Sequence, residues 1–186
     1  MQPELIMPAG TLEKLQFACA YGANAVYAGM PKFSLRARTN TFTEAQLAEG
    51  IDYAHTRGVR VYITLNIFAR NTRIQPSLEA LRVIMRVKPD AVIMSDPGLI
   101  MLARQEFPDL AVHLSTQANT MNWAAVQFWK EQGIKRVILP REVSIPEIKE
   151  IHERVPEIEL EVFVHGAMCI SYSGRCLLSS YLTHRE

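Results

Sequence analysis

The feature that most constrains this chain is its rhythm. Short β-rich runs at 5–7, 25–28, 59–67, 90–95, 112–116, 136–139 and 160–164 alternate with helical patterns, one step about every 20–30 residues. The first helix opens at Thr11. The second opens on Thr43 and Gln46, a capping box, and ends near Gly58, a residue suited to a left-handed cap. The third is expected over 76–87. Pro97 opens the fourth as a first-turn proline, 122–132 forms the fifth, and Ser144 with Glu147 opens the sixth through a second capping box. Strands that alternate with helices in this way predict a parallel sheet joined by crossover helices.

Such a sheet is either open or closed into a barrel. An open parallel sheet is covered by helices on both faces, so its strands are apolar on both faces. Here Tyr62, Thr64 and Asn66 alternate with Val61, Ile63 and Leu65. His113, Ser115 and Gln117 alternate with Val112, Leu114 and Thr116, and Glu161, Phe163 and His165 with Leu160, Val162 and Val164. A barrel interior accommodates the polar face, and the expected fold is α/β, a (β/α) TIM-like barrel. A full barrel takes about 250 residues. The chain has 186, so residues 1–186 are expected to form an N-terminal barrel domain, truncated after about seven β-α units and incomplete at its C-terminal end. The sheet edge left unpaired favours either pairing with another chain, a possible homo-oligomer, or loss of order.

Composition narrows the function classes. A net charge of +1 provides no global basic field for nucleic acid or membrane, so an anionic partner needs a local patch. No apolar run reaches the ~18–20 residues of a membrane span, and no secretory signal precedes Pro3. Three cysteines leave at least one unpaired within the chain, which points to a reducing cytoplasm rather than a disulfide framework.

Barrel chemistry sits on the loops that follow the strands. In those loops Lys32, Arg36, Arg38, Arg70, Arg73, Arg141 and Arg175 face only Asp96 and Glu142, so either a basic rim for phosphate or carboxylate groups or a chance asymmetry of a solvated surface results. Asp96 precedes Pro97 and Gly98, where it caps a helix or binds a ligand. Gln117 and Asn119 carry uncharged hydrogen-bonding groups that read a substrate or satisfy the loop backbone. His165 reads as a packed histidine unless the nearby cysteines bind metal. Cys19 shares a helix face with Leu12 and Leu15 and is expected in the core. Cys169 and Cys176 are too few for a four-ligand zinc or iron–sulfur site and read alone as buried thiols. Hydrolase motifs such as His-Glu-x-x-His and Gly-x-Ser-x-Gly are missing from the sequence.

The segment Glu161-x-Phe163-x-x-Gly166-Ala167-x-Cys169, followed by Gly174-x-Cys176-x-x-Ser179, resembles the signature of the collagenase-like peptidase family, peptidase U32. Further blocks resemble the same family: Pro3 to Gly10, Tyr21 to Gly29, Ser34 to Arg38, Met94 to Gly98 and His113 to Asn119. The resemblance spans essentially the whole chain and is strongest to its branch of tRNA hydroxylation proteins. It implies prephenate-dependent hydroxylation of the wobble uridine of tRNA to 5-hydroxyuridine, by an RNA-modifying oxidoreductase. Related members hydroxylate ribosomal RNA or ubiquinone precursors.

Some members carry a 4Fe–4S cluster on four cysteines, and Cys169 and Cys176 match the first two. The chain is then expected to be an N-terminal fragment that holds no complete cluster and is not fully active alone. Arg36, Arg38 and Arg141 become the leading ligands for the anions prephenate and tRNA, with Asn66, Asp96, Gln117, Asn119 and His165 completing a substrate-binding set. The resemblance assigns no catalytic residue. A collagenase-like peptidase and an accessory or substrate-binding subunit of an RNA-modifying complex are the alternative functions.

Overall fold

The computed structural model describes residues 3–29 and 42–176. The chain divides into two compact units, Met1–Leu110 and Ala111–Glu186.

In the first unit β1 (Ile6–Pro8), β2 (Ala25–Gly29), β3 (Arg60–Leu65) and β4 (Ala91–Met94) pair in sequence order, all parallel. Helices α1 (Leu12–Ala20), α2 (Glu44–His55), α3 (Asn71–Arg86) and α4 (Pro97–Glu106) follow them in turn. The core consists of Val26, Val61, Ile63, Leu65 and Val92 from the strands, and Leu15, Leu47, Ile51, Leu81 and Ile84 from the helices. The polar face of β3 is buried as well, with Tyr62 at 2% exposure and Thr64 and Asn66 at 8%. Burial of hydrogen-bonding groups requires partners. The Thr64 hydroxyl donates to the Ala28 carbonyl at 3.2 Å, and the Tyr62 hydroxyl to Glu4 at 2.9 Å. This buried polar face is what a barrel interior requires.

Local signals set most boundaries. Thr43 accepts from the Gln46 amide while Gln46 accepts from the Thr43 amide, which closes the capping box of α2. Gly58, at φ +70°, takes the left-handed conformation just past that helix. The expected start of α3 at Pro76 is corrected, because the helix opens at Asn71 with Pro76 inside it. Proline removes one amide donor and crowds the preceding turn. The stripe of Ser77, Leu78, Leu81 and Ile84, buried on one face, outweighs that penalty and carries the helix through. Cys19 is half buried rather than in the core. Burial pushes its thiol up, and the charge of Arg57 only partly offsets this.

In the second unit β5 (Val112–Leu114), β6 (Arg136–Ile138) and β7 (Glu159–Glu161) pair in order, again parallel, with α5 (Trp123–Glu131) and α6 (Ile145–Arg154) between them. The capping box of Ser144 and Glu147 is formed. The Arg136 side chain is 6% exposed and donates to Glu159 at 2.7 Å, with Glu161 at 3.6 Å. The expected seventh strand, 160–164, is shifted: β7 ends at Glu161, and Leu139 makes the last bond of its ladder, to the Glu161 carbonyl. Val162, Phe163 and Val164 are consequently exposed, at 43%, 54% and 83%.

Candidate functional site

The loops after the strands of the second unit form one connected assembly. After β5 the chain makes a short 3₁₀ turn, Thr116–Ala118, and ends it with Asn119 in the left-handed region at φ 53°. Asparagine tolerates that conformation better than most residues. Ser115 donates its hydroxyl to the Gln117 side chain. The side-chain oxygens of Thr116, Asn119 and Thr120 are buried without hydrogen-bond partners. An unpartnered buried oxygen costs about 1–3 kcal/mol, so this turn stores capacity to bond a further donor.

After β7 the chain runs through 162–176 without regular structure among the described residues. Its anchorage comes from the loop after β6. The Arg141 guanidinium donates through one nitrogen to the carbonyls of Cys169, at 2.8 Å, and Ser171. Glu142 accepts from the Ser173 amide at 2.8 Å. Burial works against the charged form of Glu142. Hydrogen bonds from Ser173 and the nearby charge of Arg141 outweigh it, and the carboxyl titrates below its usual range. Gly174, at φ +75°, rests on the turn after β5, and a Cβ there would lie 2.5 Å from the Gln117 carbonyl oxygen. The Tyr172 hydroxyl meets the Met121 sulfur at 2.8 Å.

The structure thus gathers Gln117, Asn119, Arg141 and the 169–176 loop. Cys169 is exposed and Cys176 half buried. His165 is exposed, which corrects its expected packed position; the strand that would have buried it stops short of it. Cys169 and His165 share no hydrogen bond among the described residues, so no nucleophile–base pair is assembled.

In the first unit Asp96 spends both carboxylate oxygens on backbone donors, Leu99 at 2.9 Å and Ala69 at 3.1 Å, and so fixes its loop to the N-terminus of α4. Asn66 is buried, and its carbonyl accepts from Ser95 at 3.2 Å. Arg70 and Arg73 are exposed at the start of α3. Lys32, Arg36 and Arg38 lie outside the described residues. The sequence reading missed Glu142 as an anchor. Its only signal was its position beside Arg141 in a strand-following loop.

Residues 10–186 match Peptidase family U32. The chain belongs to that family. It is 55% identical over 185 residues to tRNA hydroxylation protein P of Haemophilus influenzae, covering 100% of this chain and 40% of the relative. It is 52% identical over 185 residues to tRNA hydroxylation protein P of Escherichia coli, covering 100% of this chain and 41% of that relative. The chain therefore spans about two fifths of the length of these curated relatives. Among solved structures, the U32 peptidase Mk0906 superposes with a TM-score of 0.75 at 17% identity, over 97% of this chain and 74% of that one. The fold is of the TIM-like (β/α) class. No helix among the described residues is long and apolar enough to cross a membrane.

Proposed function

We propose that this U32 chain is the barrel part of a protein that hydroxylates the wobble uridine of tRNA to 5-hydroxyuridine, with prephenate as co-substrate, in the cytoplasm. The observation that carries this reading is identity of 55% and 52% along the whole chain to proteins named for tRNA hydroxylation. A 30% identical relative from Escherichia coli is named 23S rRNA 5-hydroxycytidine C2501 synthase, which favours chemistry at the same ring position of a pyrimidine. The site loops support it chemically. Uncharged oxygens in the turn after β5 suit a nucleobase edge, which offers both donors and acceptors. Exposed Arg70, Arg73 and Arg175 suit the anionic groups of tRNA and of a dicarboxylate.

The cysteines bear on an iron–sulfur cofactor. A 4Fe–4S cluster takes four thiolates. The described residues bring two cysteines on one loop, and no group of three or more metal-ligating side chains forms among them. These residues alone do not fit a cluster. In the proposed reading Cys169 and Cys176 are half of a ligand set, and the other half is sought in sequence that the longer relatives carry beyond the matched stretch. The substrate-binding set is Asn66, Gln117, Asn119, Arg141 and His165, with Arg36, Arg38 and Asp96.

Nucleoside analysis of tRNA tests the proposal. Cells lacking the full-length gene should lose 5-hydroxyuridine and the nucleosides made from it. The wild-type gene should restore them, and Cys169→Ala should not. Unchanged nucleosides in the deletion strain would remove the proposed activity. Digestion of gelatin by the purified full-length protein would instead support the peptidase suggested by the family name.

A further inference from the structure

The 169–174 segment has no ladder or helix to satisfy its backbone, yet buried or fixed backbone groups need partners. Two neighbouring residues of the loop after β6 supply them. Arg141 gives N–H groups to two carbonyls, Cys169 and Ser171, and Glu142 takes the one amide, Ser173. The polarity is matched: the cation meets acceptors and the anion meets a donor, and the two charged groups lie 3.8 Å apart. From the other side, Gly174 leans on the Gln117 backbone where no side chain fits. Of the segment's own side chains, Tyr172 bonds the Met121 sulfur and Ser173 is buried, whereas Ile170 and the preceding Met168 are 101% and 82% exposed. The backbone is therefore gripped from the loop after β6, while Cys169 and Ile170 are exposed.

We propose that Arg141 and Glu142 are positioning residues for the cysteine loop. They clasp its backbone at 169, 171 and 173, so that Cys169 and Cys176 are presented in one fixed arrangement. In this role Arg141 acts through the loop carbonyls, by one guanidinium nitrogen. The clasp itself follows from the geometry alone, and only its consequence for RNA modification rests on the proposed function.

Hydrogen exchange of the Ser173 amide tests it on the chain as it stands. A hydrogen bond to a charged acceptor protects an amide strongly, so Glu142→Ala should speed exchange at Ser173 by about tenfold or more. Glu142→Gln keeps an acceptor oxygen at the same place and should stay within about threefold of wild type. Gly174→Ala should mimic Glu142→Ala by forcing the loop off Gln117. Amides of α5 serve as the folding control. If Glu142→Ala lowers protection there too, Gly174→Ala decides in its place. An unchanged Ser173 rate in the variant that keeps α5 protected overturns the clasp.

In cells, the full-length protein carrying Glu142→Gln should restore the hydroxylated nucleoside, and Glu142→Ala should not. Loss in both, with Ser173 still protected in Glu142→Gln, would show that the carboxylate charge itself is needed and would overturn a positioning role. If no nucleoside depends on the gene, the proposed function fails while the exchange result still decides the clasp.

Discussion

The loop after β4 and the loops after β5, β6 and β7 solve the same problem in opposite ways. Asp96 caps its own helix, α4, with one carboxylate oxygen and with the other takes a single amide, Ala69, of the loop after β3. In the second unit the loops satisfy one another: Arg141 and Glu142 hold the cysteine loop, and Gly174 rests on the turn at Gln117. A loop capped into its own helix keeps that anchor when a neighbouring loop changes. Loops that lean on each other move or hold together, so a change in any of them reaches the cysteines. Strand residues of both units are wholly buried, Val61 and Ile63 in the first and Leu114 and Val137 in the second, whereas Val164, Met168 and Ile170 after β7 are almost bare.

Five variants break or sharpen this contrast. Leu81, 0% exposed on α3, should cost about 3–4 kcal/mol when changed to Ala, read from the urea midpoint. A cost under 1 kcal/mol, against that ~3, would mean the first unit is loosely packed. Replacing Glu159 and Glu161 together by Ala removes two carboxylates from the Arg136 guanidinium, whose side chain is 6% exposed. The expected loss is about 2–3 kcal/mol, below the range for fully buried pairs because Glu159 is largely in solvent. Arg136→Met alone should cost less than that pair of changes; the reverse order would show that the charge is not the issue.

Asp96→Ala removes a helix cap and a loop tie, for about 1–2 kcal/mol, and should speed exchange at the Leu99 amide without altering Ser173. A matching change at Ser173 would erase the distinction between self-capped and mutually held loops. Ile170→Ala should be neutral within about 0.5 kcal/mol in thermal melting, because the side chain touches little.

Much of the fold was legible in the sequence where local chemistry decides it. The capping boxes at Thr43 and Ser144, Pro97 at the head of α4, and Gly58 past α2 all act within a few residues of themselves. The alternation in β3 correctly pointed to a buried polar face. What failed depended on partners distant in sequence. Pro76 looked like a helix start, and only the packing of Leu78, Leu81 and Ile84 shows that it is passed through. The seventh strand looked longer because its alternation continues to His165, while its pairing with β6 ends at Glu161. At the candidate site, Cys169, Gln117, Asn119 and Arg141 were visible as residue types in strand-following loops. The clasp was not, since it joins side chains of 141 and 142 to a backbone about thirty residues on, with separations of 28, 30 and 31.

The ion cluster around Arg136 has a consequence for the order in which the chain is made. The guanidinium sits on β6, but the Glu159 carboxylate that answers it comes 23 residues later. During synthesis β6 emerges before the carboxylates of Glu159 and Glu161. Burial of the guanidinium becomes more favourable once β7 has followed. The intervening helix α6 must therefore wait as well, and the stretch from β6 to β7 is expected to close as a single event rather than strand by strand as it leaves the ribosome.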